Sequence, residues 1–141
     1  MQSFFQNEIK SEGRLFREIE EACEGLIYIS ETDSPLLAFS CPAAGGLTAE
    51  SILQQTGRGP EEAIEEISFG DFFSRLTAVK DWFGEPEKAR AKKFLDLQRL
   101  LEENLRHLSV FRIGRIRIDI FVLGLEPDGD LMGVTTKSVE T

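Results

Sequence analysis

The chain has little with which to build a metal or redox centre. Its 141 residues include two cysteines, Cys23 and Cys41, and one histidine, His107. With no second histidine and no CxxC spacing, a structural zinc site is not expected. Both cysteines lie in apolar segments and read as small core residues. Basic residues are also in short supply, 16 against 25 acidic ones, for a net charge of −9. Phosphate binding needs concentrated Lys and Arg, so nucleic acid is not expected as a direct partner. The acidic surplus instead suits a basic partner. No apolar run approaches a membrane span, and the opening MQSFFQNEIK has no basic region leading into an apolar one. The expectation is a cytoplasmic protein with no membrane partner. Signature loops are missing too: there is no GxSxG, Walker, GxGxxG or HExxH motif. Gly57 and Gly59 flank Arg58, but no phosphate-loop lysine follows. An enzyme is therefore not expected, nor a cofactor or metal of the protein's own.

What is present is core material. Apolar residues make up 41% of the chain and eleven of them are Phe. A chain of this length buries roughly 68–70% of its unfolded surface and needs no disulfide or metal to fold. No repeat, low-complexity segment or interdomain linker interrupts it. The expected organisation is a short N-terminal arm, 1–10, and a single domain, 11–141.

The strongest local signal is at the C-terminus. Ile116, Ile118, Ile120 and Val122 alternate with Arg115, Arg117, Asp119, Phe121 and Leu123, the period of a strand rich in β-branched residues. Pro127-Asp128-Gly129 supplies a turn, and Leu131 to about Val139 returns as a second strand. A terminus tied into a sheet is held in place. Two readings stay open: the tail is simply the last strand, or its fixed end is something a partner reads.

Earlier segments give the rest of the fold. A helix is expected from Ser11 or Glu12 to Glu24, stopped by Gly25, with Phe4 and Phe5 of the arm packing back on the body. Leu26–Ser30 reads as a strand, paired across the polar turn Glu31–Pro35 with an extended run to Cys41. Pro42–Gly46 is a loop. Thr48 caps a short helix to Gln55. Residues 61–67 fit helix or strand. Ser68 and Asp71 open a helix through Phe72, Phe73 and Leu76, and residues 77–84 connect it to the longest helix. That helix starts at Glu85-Pro86, buries Phe94, Leu97, Leu101 and Leu105, and ends near Arg106 and His107, cations suited to its negative pole. Val110–Ile113 is a strand and Gly114 a break or bulge. Strands joined by hairpins make the sheet largely antiparallel. Phe121 and Leu123 are apolar opposite the isoleucines, so both sheet faces are covered. The fold class is α+β, a three-layer α/β/α sandwich with a largely antiparallel central sheet.

Four places could carry function, each with a bland alternative. Glu31 and Asp33 form a carboxylate pair or simply a solvated turn. Glu61, Glu62, Glu65 and Glu66 are a solvated face rather than a metal site. Trp82, in a polar loop beside Asp81, is a binding hot spot or a pin holding the loop to the core. Glu140-Thr141 brings two carboxylates and a hydroxyl, or an ordinary solvated end.

Taken together, GLIYISETDSP (25–35), ILQQTGRG (52–59), DFFSRLTAVKDWF (71–83) and GVTTKSVET (133–141) resemble the nuclease A inhibitor family. These are bacterial proteins that inhibit a secreted, sequence-nonspecific ββα-metal nuclease. The similarity covers nearly the whole chain beyond the arm, and the family fold is an α/β/α sandwich. The resemblance implies that the C-terminal threonine reaches toward the nuclease's catalytic metal ion. It implies that a glutamate from the first hairpin turn stands in for the scissile phosphate, and that an Asp-Trp pair makes a second contact. By motif these are Thr141, Glu31, and Asp81 with Trp82. Carboxylates would then meet the lysines, arginines and metal with which the enzyme holds DNA or RNA. The alternative is a non-catalytic protein-interaction module binding another partner, a regulatory one included.

Overall fold

The computed structural model describes the backbone of residues 2–43 and 46–141, with side chains described from residue 13 onward. The expected packing of Phe4 and Phe5, and Ala44-Gly45 of the loop, fall outside the described residues.

Among the described residues four helices and seven strands follow one another: α1 (Gln2–Cys23), β1 (Ile27–Ile29), β2 (Asp33–Pro35), β3 (Leu37–Cys41), α2 (Ala49–Gln55), β4 (Ile64–Ser68), α3 (Phe69–Thr77), α4 (Glu85–Asn104), β5 (Arg106–Ile113), β6 (Arg117–Leu125) and β7 (Leu131–Val139). The main sheet has the order β3-β7-β6-β5-β4, and every pairing in it is antiparallel. The class is α+β, as the sequence predicts. The last strand of the chain is an interior strand, held by β3 on one side and β6 on the other.

The alternation in β6 divides the apolar side chains between two clusters. Ile118, Ile120 and Val122 join Val110, Met132 and Val134 in one cluster, which takes in Ile19 and Cys23 of α1, Phe69, Phe72 and Phe73 of α3, and Phe94, Leu97 and Leu101 of α4. Phe121 and Leu123 join Phe111, Ile113 and Leu131 in the other, against Ile52 and Leu53 of α2. Both faces of β6 are therefore covered, as expected from Phe121 and Leu123.

The caps follow the sequence. The Thr48 hydroxyl accepts from the Ser51 amide and the Ser68 hydroxyl from the Asp71 amide. Pro86 lies in the first turn of α4. Gly25 has φ 73°, a left-handed conformation that ends α1, and the Lys93 ammonium donates to the Glu24 carbonyl there at 2.7 Å.

Several expectations are corrected. Helix α1 begins at Gln2, so helical backbone extends over the segment expected as an arm, and α1 rather than α4 is the longest helix. Arg106 and His107 do not cap α4, which ends at Asn104. Both lie in β5, where a register shift falls between Arg106 and Ser109. The ambiguous run 61–67 contributes a strand, β4, at the sheet edge. Ile116 lies outside β6 and is 56% exposed. The first hairpin is tighter than expected: β1 pairs with β2, Ile29 opposite Asp33, while Leu37–Cys41 pairs with β7. Residues 33–35 read as turn by composition, but pairing to β1 overrides that preference.

Gly133 of β7, opposite Phe39 on β3 and Leu123 on β6, lies where any Cβ would run into the Val122 carbonyl oxygen. Gly133→Ala is expected to destabilise the protein by about 1–3 kcal/mol, because the clash is with backbone that a flexible side chain cannot relieve. Urea denaturation checks this, and an unchanged midpoint would contradict the close approach.

Candidate functional site

The β1–β2 hairpin turns through Ser30, Glu31 and Thr32. Its tip is shaped by Ser30, whose amide and hydroxyl both donate to the Thr32 carbonyl, at 3.0 and 2.9 Å. Further bonds lay the hairpin against β7. The Glu31 amide donates to the Val139 carbonyl at 3.3 Å, and the Val139 amide to the Ser30 hydroxyl at 3.1 Å. The Thr136 hydroxyl donates to the Pro35 carbonyl at 3.0 Å. On its other side Tyr28 stacks on Phe72 of α3, ring centroids 5.9 Å apart.

This brings Glu31 to the end of the chain. The Thr141 amide donates to the Glu31 carboxylate at 2.5 Å, and the Thr141 hydroxyl reaches both its oxygens at 2.8 and 3.0 Å. Both residues are exposed. Two positions 110 residues apart in sequence therefore form one polar tip. Thr141 is thus not a loose solvated end.

Glu140 turns the other way. Its amide donates to the Ile116 carbonyl at 2.9 Å. Its carboxylate accepts from Arg112 of β5 at 2.6 Å and from Ser138 at 2.8 Å. Arg112 also faces Glu65 of β4 at 3.5 Å. The Arg112 and Ser138 hydrogen bonds hold the Glu140 carboxyl below the usual carboxylate range. These groups border a cleft of about 400 Å³ that also takes in Tyr28, Phe72 and Arg75.

Asp81 and Trp82 lie in the loop between α3 and α4, both exposed, Trp82 to 75%. Trp82 packs edge-on against its neighbour Phe83, at 4.8 Å between centroids. It does not pin the loop to the core. No hydrogen bond, ion pair or ring contact described joins this loop to Glu31 or Thr141, so the structure brings two of the four expected residues together and leaves the other two as a separate patch. That loop follows α3, whose last turn carries Arg75 to the cleft beside Glu140.

The other candidates resolve into structural partners. Arg58 pairs with Asp119 and with Glu62. Glu66 accepts from the Ser109 hydroxyl at 2.5 Å. Among the described residues no group of three or more His, Cys, Asp and Glu is placed to hold a metal ion. Both cysteines are free thiols. Burial, then Glu20, pushes Cys23 up to about 11, and burial, then Asp130, raises Cys41. Neither is a ready nucleophile at neutral pH. Among the described residues no helix is long and apolar enough to cross a membrane.

Sequence reasoning missed Arg112 and Ser138. One signal for them was available: Arg112 shares its strand face with Val110, where an apolar residue is the norm.

The class the fold and tip define is an α+β protein that presents the exposed Glu31 carboxylate and Thr141 as one unit. Residues 13–141 match the family described as nuclease A inhibitor-like protein. The chain belongs to that family. No curated protein matches it.

The Arg112–Glu140 contact sets a pH dependence. A carboxyl held below its ordinary value of 4.5 contributes stability above that pH. The contribution is lost as pH falls through the lowered value. Glu140 is about half exposed, its side chain at 47%, so the effect is a fraction of a kcal/mol. Melting temperatures between pH 7 and 3 should fall less steeply for Glu140→Gln than for the parent protein. Parallel curves would contradict the shift.

Proposed function

We propose that the protein is a non-catalytic inhibitor of a nonspecific ββα-metal nuclease, and that residues 11–141 act as its single inhibitor domain. The observation that carries this reading is the shared tip of Glu31 and Thr141, on a chain of the nuclease A inhibitor-like family. Thr141 offers an α-carboxylate and a hydroxyl, hard oxygen donors of the kind a divalent metal accepts. Glu31 offers the negative charge of a phosphate diester at a site built to bind polyanions. Both are exposed, so neither must be uncovered before docking. Asp81 and exposed Trp82 would add a second, partly apolar contact. The net charge of −9 suits attraction to an enzyme surface that binds DNA or RNA.

The reading places the protein in the cytoplasm, where it would guard the cell's own nucleic acids. Its scaffold is read as a three-layer α/β/α sandwich. The two apolar clusters on opposite faces of β6 support that description.

The test is titration into a magnesium-dependent assay of a nonspecific ββα-metal nuclease. The expected result is stoichiometric loss of activity. Deleting Thr141, replacing Glu31 by Ala, or replacing Trp82 by Ala should each cost on the order of 2 kcal/mol, about thirtyfold in affinity. Because Glu31 also holds Thr141, deleting Thr141 from Glu31→Ala should cost less than the sum of the two single changes. Full potency in both single variants of the tip would overturn the proposed mode.

A further inference from the structure

The tail after β7 is held through its side chains at two points, and only one of them is the tip. Arg112 is the unusual residue. It projects from β5 on the face of Val110, and its side chain is only 17% exposed. Burying a guanidinium is costly unless its charge is met. Opposite it in register, Glu65 of the edge strand comes no closer than 3.5 Å and is itself 69% exposed. The short contact, 2.6 Å, goes instead to Glu140, beyond the end of β7. Ser138, 1% exposed, donates to the same Glu140 oxygen. The Glu140 side chain is thus drawn back toward the sheet, into the cleft bordered by Tyr28 and Phe72. The cleft's cations, Arg75 and Arg112, are matched there by Glu65 and Glu140. Its charges are met within the chain, so the cleft reads as a socket for Glu140 rather than a ligand site.

We propose that Arg112, assisted by Ser138, is a positioning residue for partner binding: it anchors the Glu140 side chain so that Thr141 leaves the sheet in one direction and meets Glu31. The proposal rests on the inhibitor reading and adds to it a residue that touches no partner. The mechanism is pre-organisation. Every side chain ordered before docking is one whose freedom is not lost on docking. With Glu140 released, the tail keeps only its backbone bond to Ile116 and the exposed contacts of Thr141 with Glu31.

The test uses the full chain and two readouts. The first needs no nuclease: release of Thr141 by carboxypeptidase, with relaxation of its backbone amide. The second is inhibition of the magnesium-dependent nuclease. Arg112→Met should speed release of Thr141 on the order of tenfold and weaken inhibition about tenfold, the scale of one or two side chains set free. Arg112→Lys, which keeps the charge, should recover part of both. In a Glu140→Gln background Arg112→Met should add little, whereas loss of packing alone would cost the same in either background. If Arg112→Met does not fold, Ser138→Ala should move both readouts the same way by a smaller amount. Unchanged release and amide dynamics in a folded variant would overturn the positioning role even if the parent inhibits. A parent protein that fails to inhibit would overturn the inhibitor reading, and the release experiment would still decide whether Arg112 anchors the tail.

Discussion

The structure depends on one constraint: β7, the last strand, lies in the interior of the sheet. β7 is paired along its length to β6 and along Leu131–Thr135 to β3. Two-sided pairing leaves no slack in register, since a slip by one residue would turn Met132 and Val134 out of one cluster and Leu131 out of the other. The position of Val139 is therefore fixed by the whole core, and the two residues after it inherit that fixity. The small β1–β2 sheet is located by the same strand, through Thr136 to Pro35 and through the amide and carbonyl of Val139. Glu31 and Thr141 meet because both are referred to β7.

Holding a carboxylate beside a chain terminus has an electrostatic cost, because like charges approach in the free protein. The Thr141 amide and hydroxyl offset it by donating to Glu31. Exposure lowers the cost further, since water screens both groups. Glu140 solves the neighbouring problem differently. Instead of adding a third carboxylate to the tip, it turns back to Arg112 and Ser138. The two adjacent residues thus turn opposite ways, Glu140 inward to Arg112 and Ser138 and Thr141 outward to Glu31.

Much of this was legible in the sequence where a local rule and the tertiary fold agree. The alternation of β6, the cap residues Thr48 and Ser68, Pro86 in the first turn of α4 and the stripe from Phe94 to Leu105 each state a preference that packing then satisfies. The misses are places where a distant partner decides. Arg106 and His107 look like a helix end, but pairing with β6 draws Arg106 into β5. Asp33-Ser34-Pro35 looks like a turn, yet β1 on one side and Thr136 on the other make it a strand. Within the candidate site, Glu31 and Thr141 could be named by family resemblance, but their mutual contact could not. It depends on a register between β7 and the hairpin that no local pattern encodes.

The same dependence links the second patch to the first. Tyr28 of β1 stacks on Phe72, and Phe72 packs against Phe73, which is fully buried in the core of α3. The hairpin that carries Glu31 is thus fitted against the helix from which the Asp81-Trp82 loop departs. The loop itself is anchored at its far end by the start of α4, where the Glu87 carboxylate accepts from the Gly84 amide at 3.0 Å. A Trp left 75% exposed between two fixed ends gains nothing for the fold. The hairpin that carries Glu31 and the loop that carries Trp82 are thus both referred to α3, one through Phe72 and the other through the end of the helix at Thr77.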